Sequence, residues 1–160
     1  MGSCVAWLVG GLVLLGTGTA ALAADAPGMT VLPDDAAVRW SAPPPSLPHN
    51  TRISILSGDP AKSGPFTLRL RIPAGTVIAP HTHATAENLT VLSGTIVHDM
   101  GETLDKARGR PLAQGGFVFL PRDMPHSLWT TTVAAEIQVS GTGPFGLHYI
   151  NPADDPGHTN

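Results

Sequence analysis

Residues 75–94 read GTVIAPHTHATAENLTVLSG, and residues 115–129 read GGFVFLPRDMPHSLW. The first stretch carries His81, His83 and Glu87 between Gly75 and Gly94, and the second carries His126. Three imidazoles and one carboxylate are metal-ligand types. The glycines and prolines around them mark short strands and tight turns, not a helix. On a strand, side chains two apart share a face, so His81 and His83 are expected to project together while Thr82 points away. Ring nitrogens placed in this way can converge on one ion at about 2.1 Å each. Glu87 follows the short Ala84-Thr85-Ala86 turn and can fold back from the next strand as a hard oxygen ligand. His126 must arrive from elsewhere in the fold to close the set.

Outward from this stretch, strands recur at short intervals. The clearest is FTLRLRI, where Phe66, Leu68, Leu70 and Ile72 alternate with Thr67, Arg69 and Arg71, a strict period of two. TRISIL (51–56), TVIAP (76–80), NLTVLSG (88–94), TIVHDM (95–100), FVFLP (117–121), HSLWTT (126–131), AAEIQVS (134–140) and GLHYI (146–150) complete the set. Residues 102–115 are polar and irregular, with a helical turn expected near Thr103–Ala107. No long 3.6-residue stripe and no internal duplication is visible, so the expectation is one all-β, antiparallel sandwich or barrel over residues 51–151. Phe66, Leu68, Leu70, Leu89 and Val91 are expected to fill it, with Trp129 and Phe119 in the core or an interface. Residues 24–50 read as an extended N-terminal arm, with a short strand about Val38-Arg39-Trp40 and solvent-facing prolines at Pro43-Pro44-Pro45. Residues 152–160 read as a frayed C-terminal tail.

Charged residues make up 13% of the 160-residue chain, and the formal net charge is −3. That balance is not basic enough to attract nucleic acid. Residues 1–23 contain no charged side chain and end in Ala21-Leu22-Ala23, a small-x-small cleavage signature. They are expected to be a cleaved signal peptide, with a retained anchor over residues 5–23 as the alternative by length; cleavage makes the mature protein secreted or periplasmic and free of the membrane. Cleavage removes Cys4, the only cysteine, which suits an oxidising compartment.

The spacing Gly75-x5-His81-x-His83-x3-Glu87-x6-Gly94 resembles the first motif of the cupin superfamily at every fixed position. Gly115-x5-Pro121-x-Asp123-x2-His126 resembles most of the second motif. The two motifs span residues 75–130, and the strand pattern of a small single-domain cupin extends over about 52–150. The resemblance implies one antiparallel β-barrel of the jelly-roll (cupin, RmlC-like) kind, with metal ligands at His81, His83, Glu87 and His126. Two positions depart from it. Asp123 stands where the motif has glycine, a mild change because Asp tolerates left-handed backbone. Thr130 stands where the motif has asparagine, which removes an expected pocket amide.

A three-histidine, one-glutamate set suits a divalent transition metal, with Fe(II) and Mn(II) leading on ligand type and Ni, Cu, Co or Zn as alternatives. Positions left open on such a metal favour chemistry on a small molecule. The expected function is a small-molecule dioxygenase or a related metal-dependent oxidoreductase, isomerase or lyase, in which Glu87 also acts as catalytic base. The alternative is a metal-dependent module that binds or senses a small ligand without turnover. A storage-type cupin is disfavoured by the intact ligand set. A homodimer, paired through the arm, is expected by analogy. Of the other histidines, His49 and His158 are expected in solvent and His98 at the surface or rim. His148 is open to either face, and Gln138 is a candidate support for the site or an outward polar residue.

Overall fold

The computed structural model describes residues 1–2 and 28–158. The apolar run of the expected leader, with Cys4, lies outside the described residues. Among the described residues, no helix is long and apolar enough to cross a membrane.

Among the described residues, ten strands form two five-stranded antiparallel sheets. The first sheet holds β1 (Arg52–Ser57), β2 (Gly64–Ile72), β9 (Ala135–Gly143), β4 (Glu87–Ser93) and β7 (Phe117–Leu120), side by side in that order. The second holds β10 (His148–Tyr149), β3 (Val77–Thr82), β8 (His126–Trp129), β5 (Thr95–Met100) and β6 (Arg110–Ala113). From β2 onward, every connection except that between β5 and β6 crosses from one sheet to the other. The antiparallel all-β expectation therefore holds.

Alternation along β2 decides which way the first sheet faces. Phe66, Leu68, Leu70 and Ile72 are all buried, whereas Arg69 and Arg71 point outward and pair with Glu136 at 3.4 and 3.0 Å. Leu89, Val91 and Ile137 join them from neighbouring strands. Ile78, Ile96 and Leu128 of the second sheet pack into the same cluster. Each such side chain contributes about 1.5–3 kcal/mol on burial, so the inward set holds the two sheets together.

Several local expectations are corrected. Residues 102–115 are not wholly irregular, because Arg110–Ala113 form β6. Its lack of alternation hid it: β6 is an edge strand with an exposed proline, Pro111, and an edge is where proline is tolerated. The expected helical turn near Thr103–Ala107 is instead a turn in which Arg108 N–H donates to Asp105 O. The buried Asp99 carboxylate accepts from Asp105 N–H at 3.1 Å and from Arg108 at 3.4 Å, which pins this loop. Val38–Trp40 is no strand. A 3-10 turn at Asp35–Ala37, capped by Asp34, precedes an isolated bridge from Ser41 to Ile53. Trp40 lies 4.1 Å beneath the Arg71 guanidinium and Asp35 meets Arg69 at 2.7 Å, so side-chain contacts hold this part of the arm on β2. Trp129 is buried as expected, whereas Phe119 is 55% exposed.

Candidate metal centre

Three strands deliver the four motif residues. His81 lies near the end of β3, His83 just beyond it, Glu87 opens β4 and His126 opens β8. His81 and His126 are direct partners in the β3–β8 register. The shared face of His81 and His83 follows from strand parity, since both are buried and Thr82 between them is half-buried. The turn before β8 depends on Asp123, whose φ of 57° makes it the one non-glycine residue with positive φ among the described residues. Its N–H donates to the His83 carbonyl at 2.9 Å, which ties the approach to His126 onto the strand carrying the other histidines. Asp is among the residues that accept this conformation.

The structure brings all four together. His81, His83, Glu87 and His126 are 2%, 6%, 4% and 1% exposed. The ligand atoms of the three histidines lie within 4.8 Å of one another. Glu87 Oε2 stands 3.4 Å from His83 Nε2 and 3.4 Å from His126 Nε2.

The outer nitrogen of each ring is tied to the backbone. His81 Nδ1 faces Ala79 O at 2.7 Å, His83 Nδ1 faces Gly146 O at 2.5 Å and His126 Nδ1 faces Met124 O at 3.0 Å. A carbonyl oxygen only accepts, so each Nδ1 carries the proton and each Nε2 turns a lone pair inward. Burial holds His81 well below the ordinary imidazole range, with the neighbouring His126 and His83 adding to the effect. Burial also lowers His83, partly opposed by the Glu87 carboxylate. Burial therefore favours the neutral form of His81 and His83, and the contact of His83 with Glu87 is not an ordinary ion pair. Glu87 Oε2 is buried and has no hydrogen-bond donor. A carboxylate oxygen facing two imidazole lone pairs is an arrangement of acceptors alone, costly unless a cation sits among them.

Two neighbours were missed or misplaced from sequence. Phe145 stacks on His83, with centroids 3.8 Å apart and an interplanar angle of 11°, and fixes that ring. His98 is not at the surface or rim: it is 6% exposed and its ring lies 5.5 Å from that of His126. Its Nε2 has no partner, and burial, then the neighbouring His126, lowers its pKa to about 4. Parity with the buried Ile96, two residues earlier on β5, was the available signal. The other candidates stay outside the centre. His49 and His148 are exposed, and His158 pairs with Asp155 at 3.1 Å. Gln138 accepts from Arg69 at 3.3 Å, on the opposite side of β9 from the core residues Ile137 and Val139, so it is the outward polar residue and not a support.

A cavity of about 310 Å³ adjoins the cluster. His81, His83 and Glu87 form one part of its wall; Leu68, Leu70 and Val139 of the first sheet form another. Pro44, Ser46 and Leu47 of the arm close one side. Tyr149 O–H donates to Ser46 O at 2.9 Å and anchors that closure.

The profile of the ChrR cupin-like domain matches residues 29–146. The chain belongs to this cupin family. No curated protein matches it. Among solved structures, the polyketide cyclase RemF from Streptomyces resistomycificus is similar at 17% identity and a TM-score of 0.66, over 81% of this chain and 91% of that one. A candidate acetylacetone dioxygenase from Methylibium petroleiphilum is similar at 21% identity and a TM-score of 0.59, over 84% and 89%. The DMSP lyase DddQ from Ruegeria pomeroyi is similar at 22% identity and a TM-score of 0.53, over 68% and 58%. At these identities the likeness is one of fold. In this cupin, Thr130 does not line the cavity. Its hydroxyl donates to Pro73 O and accepts from Thr76 N–H at 3.1 Å, which fastens the turn leading into β3.

Proposed function

We propose that this cupin holds a divalent transition metal through His81, His83, Glu87 and His126 and presents it to a small molecule in the adjoining cavity. The observation that carries the reading is the buried, donorless Glu87 Oε2 facing two inward imidazole lone pairs. Fe(II) or Mn(II) is the first choice for such a donor set, with Ni, Cu, Co and Zn behind. Bound there, the metal would polarise an oxygen of the ligand.

The favoured activity is that of a dioxygenase or a related oxidoreductase, isomerase or lyase. Relatives of the same fold named as a cyclase, a lyase and a candidate dioxygenase fit that range. Glu87 is the one carboxylate on the cavity wall among the described residues, which supports it as the base that would take a proton from a ligand bound beside it. The apolar wall keeps water away from that transfer. Phe145 and the three backbone carbonyls keep the imidazoles oriented. The second reading is a module that binds or senses its ligand without turnover. It is favoured by the cavity wall, which among the described residues carries no Lys, Arg or Tyr beside Glu87. We further place the protein in a secreted or periplasmic compartment, with its sheets closing as one jelly-roll barrel and two copies pairing.

Metal analysis of the purified protein, beside His81→Ala and Glu87→Ala, tests the site. The wild type should retain near-stoichiometric metal, and each variant should lose most of it. Retention by both variants would overturn the ligand assignment. Oxygen uptake by the loaded protein on small-molecule panels separates the two readings, since a binding module is stabilised by its ligand without consuming it.

A further inference from the structure

The cavity wall also constrains what binds there, given the metal reading above. Among the described residues, Glu87 is its one anionic side chain, and it carries no Lys, Arg, Asn or Gln. Outside the metal cluster, Ser46 supplies the one polar side chain among the described residues. The rest is hydrocarbon from both sheets, including Leu70, Ile137, Ile78 and Leu128. Three neutral imidazoles and one carboxylate leave a divalent ion with one positive charge uncompensated. Low-dielectric surroundings make such a charge costly. One anionic oxygen from the ligand would neutralise it. A second charge on the ligand would find no partner. The volume of about 310 Å³ lies at the small end of ligand pockets.

We infer that the ligand is a small molecule with a single anionic oxygen head, of the enolate, phenolate, carboxylate or hydroxamate type, on an uncharged hydrocarbon body. The head binds at the His81, His83 and Glu87 wall, and the body lies between the sheets against Leu68, Leu70 and Val139. Zwitterions, sugars and dianions are rejected because their further polar groups lose water and gain nothing.

Three hydroxamates test this by calorimetry on the full-length protein loaded with redox-inert Zn(II), after its metal content is measured. Acetohydroxamate carries the head alone, hexanohydroxamate adds an apolar tail, and adipic monohydroxamate ends that tail in a carboxylate. Hexanohydroxamate should bind at least about tenfold more tightly than acetohydroxamate, as expected for buried methylenes. The terminal carboxylate should cancel that gain. Leu147→Arg, at a half-buried position of the wall, should restore binding of the carboxylate-tailed probe and weaken the apolar one. Equal binding of the two long probes by the wild type, or no gain from the tail, overturns this inference while leaving the metal site standing. A protein that takes up no metal overturns the proposed function and this inference with it.

Discussion

His98 has no compensation for its burial. Its Nε2 is unpartnered, it stacks on His126, and its pKa is lowered to about 4. The unfolded side chain takes a proton near 6.5. Between those values the unfolded state holds the extra proton, so the contribution of His98 to stability falls as pH drops from about 6.5 and levels off near 4. In chelator-treated protein, urea midpoints at pH 7, 5.5 and 4.5 should show that loss. His98→Phe should shallow the slope and, at pH 7, stabilise by about 1 kcal/mol or more, because an unsatisfied buried nitrogen is removed. An unchanged slope would assign the acid sensitivity to other groups. At this scale the ligands were legible because the motif gives four residue types at fixed spacings. His98 was not, because the acidic Asp99 beside it reads as a surface signal. The partners that let Asp99 be buried, Asp105 and Arg108, come from a loop whose fold the sequence does not announce. Gln138 failed for a related reason: parity allows two faces, and only its outward partner Arg69 selects one.

Strands and their turns were read more securely than their neighbours in space. β2 and β5 follow directly from alternation and from glycine breaks, whereas β6 has neither and is defined by its register against β5. The motif glycines illustrate what a turn demands. Gly75 and Gly94 have φ of 72° and 71°. A Cβ at Gly75 meets nothing within 4 Å, while one at Gly94 falls 2.2 Å from Ala134 O, the carbonyl just before β9. Gly75→Ala should therefore cost about 1–2 kcal/mol, the left-handed backbone penalty alone. Gly94→Ala should cost about 1–3 kcal/mol more, because the backbone itself must shift. Denaturant midpoints for the two variants give the difference directly, and equal losses would show that the β4–β5 turn yields without strain. A displaced β4 also carries Glu87 with it. Gly94→Ala should accordingly weaken metal retention more than Gly75→Ala does, despite lying far along the strand from the ligand.

Across the whole molecule, the arm is the part whose role sequence left most open. Its prolines read as an extended, solvent-facing lead-in; Pro44 and Pro45 are exposed, but Pro43 is half-buried and the chain turns where Leu47 N–H donates to Pro44 O. What composition could not show is that Leu47, two residues after Pro45, enters the core cluster at 9% exposure and also lines the cavity. A lone leucine among prolines has no period to reveal its face. The arm thus couples stability to the site: Ser46 is held by Tyr149, which stands opposite His81 in the β10–β3 register. Leu47→Ala should destabilise by about 2–3 kcal/mol, the low end of buried leucine truncations, because an arm can settle into the space left behind. Pro44→Ala, an exposed change, should stay within about 0.5 kcal/mol. The Leu47 substitution should also show in binding. Leu47→Ala removes hydrocarbon from the cavity wall, so it should weaken an apolar-tailed chelator while leaving the short head-only chelator and the metal content unchanged. Loss of the short chelator as well would mean that the arm holds His81 in place through Tyr149. No loss of stability would mean that the arm does not dock in solution and that the cavity stands open on that side.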